Sequence, residues 1–180
     1  QNLFHLLKTT LLDGNAEPPR FLYPRGGMQE AWVQVSEMLE ALGGRIITGT
    51  GARLEGADDK IEAVWAGDER IEPSVVIWTA PITLACEQLK LPRPKLDYLG
   101  LLLYNVMVNE EPHRDYQWCY YGSKKLLINR VSVPRFFSPD TAPPGTGGYC
   151  CEVTCMKGDS RWQHAERLTD WVIDDLIKVG

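Results

Sequence analysis

The chain has 180 residues, 44% of them hydrophobic and 24% charged, an ordinary globular composition. It is long enough to bury roughly 70% of its unfolded surface without a disulfide or metal staple. Nineteen basic against 24 acidic side chains give a net charge of −5, which argues against a nucleic-acid partner and against a polybasic membrane surface. The longest apolar run, 99–108, already contains Gly100 and Asn105 and falls far short of the about 20 residues that a membrane span needs.

Five cysteines (Cys86, Cys119, Cys150, Cys151 and Cys155) are an odd number without the spacing of a secreted disulfide framework, so a reducing, cytoplasmic compartment is expected. The first residue is Gln1, and neither a charged nor an apolar leader region follows. The chain reads as a piece of a longer protein without a targeting segment.

Leu3, Phe4, Leu6, Leu7 and Leu11 predict a short amphipathic helix, stopped by Asp13-Gly14-Asn15. After Gly26-Gly27, the positions Met28, Trp32, Val35, Leu39 and Leu42 step by helical intervals along one face, and Gly43-Gly44 supplies a left-handed cap. Arg45–Thr48 reads as a strand that Gly49-Thr50-Gly51 interrupts and Arg53-Leu54-Glu55 resumes. Turns at Asp58-Asp59 and Gly67-Asp68 lead into Lys60–Ala66 and Arg70–Glu72. Val75–Trp78, bounded by Pro73 and Pro81, has the profile of a strand covered on both faces.

Further strands are expected at Leu99–Val108, Tyr116–Tyr121, Leu126–Val133 and Gly148–Cys155, with a long Pro- and Gly-rich loop at Pro134–Gly147. A terminal helix with Ser160 as N-cap presents Ala165, Leu168, Val172 and Leu176 on one side. The fold class is α+β: a mostly antiparallel, mixed sheet flanked by helices, joined to a helix-and-hairpin unit.

Few residues announce chemistry. His5, His113 and His164 are scattered and no ligand spacing occurs, so no metal site is expected. Cys150 and Cys151 fall on opposite faces of a strand, which suits structural thiols better than a shared ion. Nucleophile elbows, phosphate loops and dinucleotide fingerprints are absent from these residues. The suggestive cluster is Tyr104, Asn105, Trp118, Tyr120 and Arg130, which a meander would gather on one sheet as a face for a flat or anionic small molecule. The plainer alternative is that Trp118 and Tyr120 pack under a helix while Arg130 pairs with a surface acid.

The run Phe21-Leu22-Tyr23-Pro24-Arg25-Gly26-Gly27-Met28, its helix, Gly43-Gly44-Arg45-Ile46-Ile47 and Val75-Val76-Ile77-Trp78-Thr79-Ala80-Pro81 together resemble a known pattern. It is similar to the middle of the flavin-containing amine oxidase and protoporphyrinogen oxidase superfamily, which includes UDP-galactopyranose mutase. Ile128–Pro134, with Phe137-Ser138-Pro139, resembles that superfamily's substrate-domain strands. The superfamily's amino-terminal dinucleotide fingerprint and carboxy-terminal flavin segment are both missing here.

The resemblance implies that residues 21–81 belong to an FAD-binding domain, and residues 1–20 and 82–180 to a substrate-binding domain. It places Arg25, Gly26 and Gly27 near the flavin, Gly51 or Ala52 at its adenine end where the superfamily commonly carries Val, and Pro81 at the end of a cofactor-domain strand. The implied activity is hydride transfer from a small-molecule substrate to FAD, with O₂ or another acceptor closing the cycle. FAD would bind the full-length parent and not this chain alone, which needs the remainder of the parent. The alternatives are a mutase-like flavoenzyme acting on a nucleotide sugar, in which arginines hold a diphosphate, and a non-catalytic binding domain.

Overall fold

The computed structural model describes residues 22–57, 60–113 and 116–180. The helically spaced apolar positions become α1 (Met28–Ala41), preceded by Gly27 with φ 89°. Gly43 (φ 84°) ends it, and the Gly44 N–H donates to the Leu39 carbonyl at 2.9 Å, so the expected left-handed cap is formed. No residue of α1 is buried, and Trp32, within its apolar stripe, is 60% exposed. The helix expected at Leu3–Leu11 and the turn at Asp58-Asp59 lie outside the described residues.

Strands β1 (Ala52–Ala57), β2 (Lys60–Ala66) and β3 (Glu69–Ile71) form an antiparallel meander with a register shift at Glu55/Gly56. Leu54 and Ala63 are its buried side chains. A seven-residue helix, α2 (Ile82–Gln88), packs on β1, and the Gln88 side-chain oxygen accepts the Leu54 N–H at 2.8 Å. Sequence periodicity does not reveal α2, because seven residues span barely two turns.

Two expected strands are not formed. Arg45–Thr48 and Val75–Trp78 have no regular structure, and Val75 and Ile77 are exposed, contrary to a strand covered on both faces. A strand needs a neighbour to take its N–H and C=O groups, and no described strand pairs with either segment.

The second sheet runs β4-β7-β6-β5, from β4 (Leu99–Val108), β5 (Trp118–Tyr120), β6 (Arg130–Ser132) and β7 (Gly147–Met156), with every pairing antiparallel. The strand expected over Leu126–Val133 shortens to three residues. The Leu127 N–H goes to Asp175 rather than to a strand. Asn129 still bonds to both sides, its N–H donating to the Glu152 carbonyl and its carbonyl accepting the Tyr121 N–H, each at 2.8 Å, while its Oδ1 accepts the Thr154 N–H at 2.6 Å.

On one face of this sheet Val131, Cys151 and Val153 join Ile128 and Val172 in the buried core. Val172 belongs to α4 (Thr169–Lys178), which closes that face. The α+β class expected from sequence is the class observed, and no helix among the described residues is long and apolar enough to cross a membrane.

Before α4 comes the short helix α3 (Ser160–Gln163). Its cap is Asp159 rather than Ser160: the extended Asp159 accepts the Trp162 N–H at 3.0 Å, while Ser160 is already helical. That hydrogen bond, then Arg161 and the Met156 N–H, hold the Asp159 carboxyl below its usual range against a smaller cost of burial. Gly100 is required for this packing, since a Cβ there would stand 2.4 Å from the Trp162 ring.

Candidate functional site

Strand alternation sends every second side chain of the second sheet away from the core. The register aligns these residues in rows across the strands. One row is Tyr120–Arg130–Glu152–Leu103, and the next is Trp118–Ser132–Cys150–Asn105. Leu101 and Met107 extend the same face along β4, and both are exposed, as are Leu103, Trp118 and Tyr120. This face therefore carries uncovered apolar surface on both sides of its polar centre.

Arg130 and Glu152 form the electrostatic centre. Arg130 Nε donates to Glu152 Oε1 at 2.8 Å, Nη2 donates to the same oxygen, and Nη1 donates to the Tyr120 hydroxyl at 3.1 Å. The guanidinium also lies 5.5 Å from the Tyr120 ring centroid. Glu152 and Tyr120, as hydrogen-bond acceptors, raise the Arg130 pKa above its ordinary value. The Glu152 side chain is 11% exposed and that of Arg130 34%, so the pair is partly desolvated. Beside it, burial and then the Glu152 charge push the Cys150 thiol up, and burial pushes Cys151, on the core side, up to about 11. Both sulfurs stay protonated near neutral pH, which suits neither a nucleophile nor a metal ligand.

Of the five residues expected to share one face, Asn105, Trp118, Tyr120 and Arg130 occupy the two rows. Tyr104 points the other way: it follows Leu103 and precedes Asn105, so pleating turns it to the core side. There its hydroxyl donates to the Ala165 carbonyl at 2.6 Å, and burial raises its pKa. Trp118 and Tyr120 lie on the face opposite α4, and the acid that meets Arg130 is in the neighbouring strand. Sequence reasoning missed Glu152, Ser132 and Cys150. The parity of Cys150, Glu152 and Thr154 is readable in the sequence, but their alignment with Arg130 depends on the β6–β7 register.

The loop 134–147 frames the Trp118 end. Its two three-residue turns, Pro134–Phe136 and Pro139–Thr141, are held by Arg135, whose guanidinium donates to the carbonyls of Ala142, Pro143 and Thr146 and pairs with Glu111 at 2.7 Å. Phe137 stacks on Trp118 at 5.7 Å and meets Tyr23 at 5.0 Å. Buried Ser138 donates to the Arg25 carbonyl at 2.6 Å, and Arg25 pairs with Asp140 at 3.1 Å. The segment preceding α1 is thereby tied to the rim of the sheet face. A hollow of about 370 Å³ lined by Tyr116, Gln117, Trp118 and Phe136 opens at the same rim.

The residues expected at a cofactor fall in two places. Arg25, Gly26 and Gly27 stand at this rim, where the Gly26 N–H donates to the Glu30 carboxylate at 2.9 Å and nothing lies within 4 Å of a Cβ placed on Gly27. Gly51, Ala52 and Pro81 belong to the three-stranded unit. Space is open around Gly51, the Ala52 carbonyl accepts from Gln88 Nε2 at 3.5 Å, and the Pro81 carbonyl accepts from Trp78 Nε1 at 3.2 Å.

No protein-family model matches the chain, and no curated protein matches its sequence. Solved structures do share its fold. A reduced UDP-galactopyranose mutase matches with a TM-score of 0.66 at 18% identity over 84% of this chain and 35% of its own. An oxidoreductase from Methanosarcina mazei matches with a TM-score of 0.66 at 18% identity over 85% of this chain and 39% of its own. A protein from Pyrococcus furiosus gives a TM-score of 0.64 at 16% identity over 86% and 40%. The chain therefore spans well under half the length of the proteins it matches. What it shares with them is the fold, over most of its own length.

Proposed function

We propose that this chain is the central portion of an FAD-dependent oxidoreductase of the amine oxidase and protoporphyrinogen oxidase type, in which it shapes the substrate site and one margin of the FAD site. The observation that carries this reading is the fold match over 84–85% of the chain to part of a UDP-galactopyranose mutase and part of an oxidoreductase. In this reading residues 21–81 belong to the FAD domain, and residues 82–180 carry the substrate-facing sheet. The five cysteines, none in a disulfide, accord with a reducing cytoplasm.

Two glycines leave room for a partial FAD site. Gly27, with positive φ and open space above it, lets a ligand approach the backbone where α1 begins, and Gly51 leaves similar room beside β1. FAD, when bound, would supply the hydride acceptor. The chain's own contribution is positional. Trp118 and Tyr120 offer flat area, Leu101 and Leu103 exclude water, and the loop at Phe137–Asp140 ties the Tyr23–Gly27 segment to the substrate face.

A second reading, a mutase acting on a nucleotide sugar, is favoured by one specific observation, the match to UDP-galactopyranose mutase. Holding a diphosphate calls for arginines with uncommitted charge. Arg130 is engaged with Glu152 and Tyr120, and Arg135 with Glu111 and loop carbonyls, so neither of these two offers an uncommitted charge for a diphosphate. A non-catalytic binding domain is the remaining outcome.

The test is the visible absorption spectrum of the purified full-length parent beside that of this chain. The expected result is stoichiometric flavin in the parent and none in the chain. A colourless parent would remove both enzyme readings. A flavin-bearing parent that isomerises UDP-galactopyranose only when reduced would establish the mutase.

A further inference from the structure

The row Tyr120–Arg130–Glu152–Leu103 contains one full positive and one full negative charge, set against each other inside the sheet face. We infer that this face takes an uncharged, flat ligand with apolar ends, and that Glu152 is the specificity-determining residue because it cancels the charge of Arg130. The inference rests on reading this face as the substrate side of the sheet.

All three guanidinium nitrogens of Arg130 have partners: Nε and Nη2 on one Glu152 oxygen, Nη1 on the Tyr120 hydroxyl. A ligand carboxylate or phosphate would find only the remaining N–H groups of Nη1 and Nη2. Taking them would set it beside the Glu152 carboxylate, a second anion only 11% exposed that already shares the guanidinium. A ligand ammonium would meet the guanidinium in the same way. An uncharged group incurs neither repulsion, and can still hydrogen-bond to Ser132, Thr154 or the rim of the ion pair.

The flanks favour apolar ends. Leu101, Leu103 and Met107 on β4 and Trp118 and Tyr120 on β5 are exposed, and three strand spacings place these two walls about 14 Å apart. Between them runs a polar strip of Glu152, Cys150 and Thr154 from β7 and Arg130 and Ser132 from β6. A ligand lying across the strands would set apolar ends on the walls and one carbonyl, amide or hydroxyl on the strip.

The test titrates three probes of one shape into this chain: naphthalene-2-carboxamide, 2-naphthoate and 2-naphthylmethylammonium. Binding is read only from the NMR shifts of the Leu101, Leu103 and Met107 methyls, so that uptake by the exposed face of α1 is not counted. The carboxamide is expected to bind at least about tenfold more tightly than either ion. In Glu152→Gln the naphthoate should gain at least about tenfold while the carboxamide changes little, and in Arg130→Gln the ammonium probe should gain instead. If one variant fails to fold, the other carries the test.

Naphthoate binding the unsubstituted chain as tightly as the carboxamide would overturn the inference. So would an unchanged ranking in a folded variant, or no methyl shift with any probe. A parent without flavin but with this ranking intact removes the oxidoreductase reading alone. A flavin-bearing parent with the ranking absent removes the charge rule alone.

Discussion

Helices α1 and α4 are both amphipathic, and their fates in the fold are opposite. α4 lays Val172, 0% exposed, against Ile128, Val131, Cys151 and Val153, and its Asp175 is buried as well. α1 carries an apolar stripe of Met28, Trp32, Val35 and Leu39, yet buries nothing. Periodicity states that a helix has a face to bury, but not what covers it. In α4 the cover is the core side of the β4–β7 sheet. For α1 no described element serves, and the unpaired segments at 45–48 and 75–78 share its condition. On the reading proposed above, all three await the remainder of the FAD domain.

The sharpest way to break this comparison is to place the same charge on each helix. Val172→Asp buries an unpaired carboxylate and should cost more than about 4 kcal/mol, abolishing a cooperative melt. Val35→Asp in this chain should stay within about 0.5 kcal/mol, because the two residues have similar helix propensities and the site is exposed. In the full-length parent, Val35→Asp is expected to become strongly destabilising. An equal, small effect in both contexts would show that nothing covers α1.

The buried carboxylate of α4 gives the next effect. Burial raises the Asp175 pKa, but Lys178 at 2.9 Å and the Leu127 and Ile128 N–H groups outweigh it, so the net shift is downward. A carboxyl whose folded pKa is depressed contributes fully above its unfolded pKa and loses that contribution as pH falls through the folded value. Asp175→Asn should therefore cost about 1–3 kcal/mol at neutral pH and flatten the acid limb of the stability profile. Chemical denaturation at a series of pH values reads both. A parallel acid limb in the variant would remove Asp175 from the account.

The smallest effects concern the tie between the α1 entry and the sheet rim. Ser138→Ala removes a buried hydrogen bond to the Arg25 carbonyl and should cost about 1 kcal/mol. Arg25→Ala removes only the exposed pair with Asp140 and should shift the melting temperature by less than about 2 °C. The reverse order would mean that charge, not the buried hydroxyl, holds the loop.

Much of this molecule was determined by local pattern. Met28–Leu42 had to be a helix because its apolar residues recur at helical intervals and glycine follows, and Leu99–Val108 had to be extended because its length and composition suit little else. The parity that places Asn105, Trp118, Tyr120 and Arg130 on one face follows once register is given, and the same parity removes Tyr104 to the core. Tertiary structure alone decided the rest. Arg45–Thr48 and Val75–Trp78 are strand-like in composition, but a strand is completed by hydrogen bonds to a neighbour that composition does not name. Glu152 lies 22 residues from Arg130, and only the antiparallel register of β6 on β7 makes them a pair. That pairing turns an arginine that reads as an anion anchor into half of a neutral couple, because electrostatics depends on distance in space and sequence records only distance along the chain.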